Sequence, residues 1–211
     1  LKAWSTFLDY VMPWAPAVEQ LMAEHAIKLA AISFFHDSRC DRRALASIAT
    51  VADSATPITL TLPSGTEIVR VERVRIADGD DLDPLATTDV SAEMLNDSGM
   101  PTHYQRSASS SKLVVYPTPD AIYTLLPTVS IKPTLAATGV DSDDLANRYA
   151  REIGWGAIGL LLSMPKKPWS DMTAASFYMR TAAIAAIEAR HDAETGDTDA
   201  PQRTRSVFGL R

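Results

Sequence analysis

The sequence has a single cysteine, Cys40, so no disulfide can close within the chain, and folding in a reducing compartment is expected. No apolar run reaches the roughly 18 residues of a transmembrane helix, and the first residues show no basic stretch followed by an apolar core. Synthesis in a cytoplasm without export by a signal peptide is expected. Positive charge is also scarce: 20 Lys and Arg stand against 26 Asp and Glu, for a net charge of −6. That balance excludes a bulk basic surface that would hold DNA by neutralising phosphates.

Catalytic constellations are scarce too. There is no GxSxG, P-loop, CxxC or HExxH. His25, His36, His103, His191 and Cys40 are the residues available for nucleophilic or metal chemistry. His36 and Cys40 are four apart and could share a helical face, but two ligands do not make a zinc site, so Cys40 is read as structural. The Gly154-Trp155-Gly156 run lies inside a helix pattern, which argues against a phosphate cradle. No metal or other cofactor is expected, and the chain is not read as an enzyme.

One acidic stretch, residues 77–101, holds Asp78, Asp80, Asp81, Asp83, Asp89, Glu93 and Asp97 with no Lys or Arg among them. Clustered carboxylates suit a hard cation. The EF-hand spacing is absent, because no Glu stands twelfth in a frame beginning at Asp78, Asp80 or Asp81. The stretch reads as an exposed loop of mutually repelling charges.

What the chain does have is periodicity. With 211 residues, 46% of them hydrophobic, it can build one good core plus an appendage, or two small domains. After Pro13-Trp14-Ala15-Pro16, the residues Val18, Leu21, Met22, His25, Leu29 and Ile32 recur at helical spacing, with Ile27, Phe34 and Phe35 broadening the stripe. A helix over 17–36 is predicted, with Pro16 in its first turn. DRRALASIATVA (41–52) reads as a shorter helical piece. ITLTL, Pro63-Ser64-Gly65 and TEIVRV then predict two strands around a turn. KLVVY, Pro117-Thr118-Pro119-Asp120 and AIYTLLPTVSI repeat that logic, for a small antiparallel sheet. In VRVERVRI the apolar parity shifts between Val71 and Val74, the mark of a bulge or a strand end.

Helical periodicity returns after Asp141 and Ser142, either of which can cap a helix placing Leu145, Tyr149, Ile153, Ala157, Leu160, Leu161 and Met164 on one face. Gly154, Gly156 and Gly159 lower its helicity by roughly 1 kcal/mol each relative to Ala. They make sense where another backbone packs closely. A last helix is predicted over 171–191. The fold class is therefore α+β: a helical bundle from residues 1–52 and 135–192, an inserted antiparallel β extension over 53–134, and an irregular C-terminal tail over 193–211.

Between the last two helices lies MPKKPWSD (164–171). Pro165 and Pro168 stop the preceding helix, Lys166 and Lys167 sit where its last carbonyls are exposed, and Ser170 is placed to cap the next. Local physics accounts for this corner as a helix-to-helix turn. Lys166, Lys167 and Trp169 are also candidates for a docking edge.

Several of these stretches resemble one known family. Pro13-Trp14-Ala15-Pro16 opening a helix that ends in Phe34-Phe35, KLVVYPTP (112–119), and Ile131-Lys132-Pro133 before a capped helix are similar features. So are AREIGWGA (150–157) and LLSMPKKPW (161–169). In this order and spacing they resemble the head-to-tail adaptors of short-tailed bacteriophages, also called tail tubular protein A or gatekeeper proteins. No single motif is specific; their order over residues 11–189 carries the likeness.

The resemblance implies a structural virion protein at the head-tail junction, made in the host cytoplasm. Such adaptors form a ring matching the twelve-fold portal protein, extend the DNA channel, and carry the tail nozzle (tail tubular protein B type) and tail fibres. Double-stranded DNA would pass without specific binding, which suits a channel that is not basic. The resemblance also implies a C-terminal extension reaching toward the portal, here Arg203, Arg205, Phe208 and Arg211. The alternatives are a head-closure or neck connector protein of another phage type, a cytoplasmic interaction module, and a small hydrolase using His36 or His103.

Overall fold

The computed structural model describes residues 1–91, 94, 96–107 and 111–196. Within them the chain is a mixed α+β fold. It opens with strand β1 (Lys2–Ala3), a 3-10 turn (Trp4–Phe7) and a single helical turn, α1 (Leu8–Val11). These elements are too short to show a period, yet Trp4, Phe7 and Val11 are all buried.

Helix α2 spans Gln20–Ser38. It starts later than the sequence predicts, because Pro16 lies in the preceding turn and the backbone at Glu19 is still extended. Arg39, in the left-handed region at φ 50°, ends it. Its buried face is also not the predicted one. Ala23, Ala26, Ile27, Ala30, Ala31, Phe34 and Phe35 point inward, whereas Leu21 is 79% exposed and His25 lies outside. The physical reason lies in the partner helix, whose glycines let a face of alanines approach closely where longer side chains would hold the axes apart.

The helix predicted after Ser142 is two helices, α3 (Asp143–Arg148) and α4 (Ala150–Leu162), broken where Tyr149 leaves helical geometry at φ −110°, ψ 19°. Ser142 caps the first, its Oγ accepting from Leu145 N at 3.4 Å. Helix α5 (Met172–Thr195) ends at Gly196 in the left-handed region. Helices α2, α4 and α5 share one apolar cluster, which also takes in Trp4, Phe7, Val11, Ala137 and Val140.

The segment 41–52 is not helical. It forms β2 (Arg42–Ala44) and β3 (Ile48–Ala49). Next come β4 (Ile58–Thr59), β5 (Thr66–Ile76), β6 (Asp83–Pro84), β7 (Ser98–Gly99), β8 (His103–Arg106), β9 (Lys112–Tyr116), β10 (Thr118–Pro119), β11 (Thr124–Pro133) and β12 (Gly139–Val140). Neither predicted hairpin closes on itself. Strand β11 pairs antiparallel with β5 on one edge and with β2 and β3 on the other. A second sheet has the order β4-β9-β8-β6, in which β6 runs parallel to β8. The pair β7 and β10 is parallel, and β1 pairs with β12.

The parity shift in VRVERVRI is a bulge. Arg73 faces Thr128 and Val71 faces Val129, leaving Glu72 as the extra residue; a second shift leaves Val69 extra. Each insertion moves the alternation by one, so Ile68, Val71 and Val74 point to the same side at a spacing of three. With Leu113, Val115 and Leu125 they belong to a second apolar cluster, made by the strands.

Candidate functional site

The corner between α4 and α5 is built by local bonds. Asp171 N reaches back to Leu162 O at 3.0 Å, and Ser170 Oγ donates to Met164 O at 2.6 Å. The N-cap of α5 is Asp171, whose Oδ1 accepts from Thr173 N and Ala174 N, both at 3.0 Å. Ser170 does not cap, because its hydroxyl is spent on the outgoing carbonyl of the previous helix. Lys166 is in the left-handed region at φ 60°. Lys166 and Lys167 are exposed, Trp169 is half-buried against the helical cluster, and the Lys167 ammonium stands 5.7 Å from the Trp169 ring centroid. The Trp169 Nε1 is buried with no hydrogen-bond partner.

Gly154, Gly156 and Gly159 have the spacing GxGxxG. As a dinucleotide fingerprint that spacing needs a strand-to-helix turn, and here all three lie within α4. Their surroundings are protein. A Cβ at Gly154 would stand 2.9 Å from Tyr10 Cβ, one at Gly156 would stand 3.0 Å from Ala30 Cβ, and one at Gly159 would stand 2.7 Å from Met179 Cγ. The three glycines thus face α1, α2 and α5 in turn.

Beside Gly156 a groove opens between α2, α4 and α5. Phe34, Leu160, Met179 and several alanines give it apolar walls, and Asp37 and Glu152 make one end acidic. Glu152 Oε1 lies 3.5 Å from Arg151. Its Oε2 is buried and unpartnered. Among the described residues, Glu152 Oε2 and Trp169 Nε1 are the buried side-chain atoms of this kind.

The candidate chemical residues do not assemble. His36 Nδ1 lies 3.0 Å from Asp37 Oδ1, His103 Nδ1 lies 2.8 Å from Thr102 Oγ1, and His25 and His191 are exposed. The helix ends before Cys40, so Cys40 and His36 share no helical face. Burial pushes the Cys40 thiol up to about 11, and Ser38 Oγ donates to its sulfur at 3.2 Å. In the acidic stretch Asp81 pairs with Arg73 at 2.7 Å, and Asp83 belongs to β6; Glu93 is outside the described residues. Among the described residues no group of three or more His, Cys, Asp or Glu could hold a metal ion. No helix there is long and apolar enough to cross a membrane.

A polar cluster that the sequence reading missed joins the two apolar clusters. Arg43 of β2 donates from Nε and Nη2 to Asp41 at 2.8 and 3.1 Å, and from Nη1 to Asp141. Burial pushes the Asp41 carboxyl up, and this outweighs the Arg43 guanidinium pulling it down. The two acids are 100 positions apart, so no local pattern could have revealed the site.

Residues 3–205 match the family model described as SU10 adaptor protein. The chain belongs to the SU10 adaptor family. This is a head-to-tail adaptor family of short-tailed phages, and the match takes in both apolar clusters and the helix corner. The role that follows is that of an adaptor in phage virion assembly. No curated protein matches the chain.

Proposed function

We propose that this SU10 adaptor forms a ring beneath the portal, extends the DNA channel and carries the nozzle and fibres of the tail. The observation that carries the reading is the family match over residues 3–205. In this account the helices that share the first apolar cluster form the body of the ring subunit. The strands of the second cluster form an extension inserted between the chain ends. Stoichiometry follows the portal, which makes a twelve-fold ring the working expectation.

Two observations support an assembled state. Along α5, Phe177, Ile184 and Ile187 are 64%, 47% and 68% exposed, at spacings that put them on one helical face. Apolar side chains concentrated in this way mark surfaces that become covered. The net charge of −6 suits a channel that lets DNA slide.

The proposed portal-binding residues Arg203, Arg205, Phe208 and Arg211 lie outside the described residues. We assign them a role by composition: a basic segment with one aromatic anchor that gains order on the portal. Deleting residues 201–211 is expected to weaken portal binding while the far-UV circular dichroism stays that of the full chain. Unchanged binding would remove the tail from the account. Mass spectrometry of purified particles tests the wider reading, which fails if the chain is absent from them.

A further inference from the structure

We infer that the basic corner of one copy of this chain docks at the acidic end of the interhelical groove of the next copy. The juxtaposition rests on charge, place and length. Lys166 and Lys167 are exposed at the corner, held there by a turn that Pro165 and Pro168 keep out of helical geometry. Asp37 and Glu152 form the acidic end of a groove whose other walls are apolar. Within its own copy Asp37 meets Ser33 Oγ at 3.4 Å and the His36 ring at 3.0 Å, and remains exposed. Glu152 Oε2 has no donor at all. A buried carboxylate oxygen without a partner is costly, and an ammonium or guanidinium group is the donor that would relieve it.

The corner of the same copy cannot supply that donor. Glu152 stands in the first turn of α4 and the corner begins after its last. Ten residues of helix separate Glu152 from Leu162, which is about 15 Å at the α-helical rise. A lysine side chain spans less than half of that. The occupant is therefore a second copy, joined through two different surfaces. Contacts of this kind are heterologous and close into a ring when the rotation between neighbours allows it. Only the closure rests on the ring reading above; the contact itself does not.

The test uses the full chain with Cys40→Ser, carrying either Lys167→Cys or Asp37→Cys. Both positions are exposed, so folding is retained, and circular dichroism verifies it. The two variants are mixed under mild oxidation, alone and on the portal ring, and resolved without reductant. The mixture is expected to give at least tenfold more disulfide-linked dimer than either variant alone. Independently, Lys167→Glu or Asp37→Lys should each lower self-association, and the double swap Lys167→Glu/Asp37→Lys should restore it. No excess dimer in either condition, with no rescue, overturns the inference. If the wild-type chain still loads on the portal in that case, the adaptor reading stands without this contact. If the excess appears while the portal is ignored, the contact stands and the ring reading falls.

Discussion

Arg43 forms an ion pair with Asp141, 98 positions further along the chain. The same guanidinium grips Asp41, so one side chain ties the end of α2, the first strand of the β11 sheet and the approach to α3. Asp41 is buried and Arg43 half-buried, so removing the cation leaves a carboxylate that solvent cannot repair. Arg43→Ala is expected to cost about 3 kcal/mol, the lower end for breaking a buried pair, read by urea denaturation. A loss below about 1 kcal/mol would show that water replaces the guanidinium.

The pH dependence of this cluster has a definite sign. Burial raises the folded-state midpoint of Asp41 above its unfolded value, so the folded chain holds this proton more tightly. The contribution of Asp41 to stability is therefore greatest below the unfolded midpoint and declines as pH rises through the folded one. Compared with Asp41→Asn, the wild type should lose stability over that interval as pH rises. A difference that grows with pH instead would mean that Arg43 outweighs burial.

Gly159 stands where a Cβ would lie 2.7 Å from Met179 Cγ and 3.1 Å from Met179 N. The side chain can swing away, but the backbone nitrogen cannot without moving α5. Gly159→Ala is expected to cost about 1–3 kcal/mol by overpacking, although alanine is the better helix former. Gly156→Leu faces Ala30 across α2 and should cost a similar amount. Thermal unfolding of both variants measures this, and an unchanged midpoint would mean that the helices separate easily.

Cys40 should be slow to react. Its thiol is pushed up to about 11 by burial, and the thiolate is the reactive form. At pH 7.5 a thiol reagent should modify the native chain far more slowly than the chain in denaturant. Equal rates would place the sulfur in solvent.

The N-cap gives a sharp comparison of neighbours. Asp171→Ala removes the acceptor for two backbone N–H groups and should cost about 1 kcal/mol. Ser170→Ala removes only its bond to Met164 O and should cost less. The reverse order would return the cap to Ser170.

How much of this was legible depended on how local each feature was. The α5 helix, the bulge at Glu72 and the turn at Pro165 to Pro168 are written in spacings of a few residues, and they stand where the sequence puts them to within a few positions. The choice of strand partners was not legible. Ile58–Thr59 pairs with β9 and Thr66–Ile76 with β11, across the turn at Gly65 that reads as a hairpin. The segment 41–52 read as helical because strands of two or three residues cannot establish a period of two. The buried face of α2 was missed for a different reason. Apolar size singled out Leu21, Met22 and Leu29, whereas the glycines of α4 select alanines. At the corner, the sequence fixed neither which residue caps α5 nor the groove, whose acids come from α2 and α4.

The central claim is that this chain is a head-to-tail adaptor that loads onto a portal, and the mass of the complex tests it most directly. Analytical ultracentrifugation of the full chain, alone and titrated onto the portal ring of the same phage, would give that mass. The account predicts a saturable increase equal to one chain per portal subunit. No association at any ratio would contradict it.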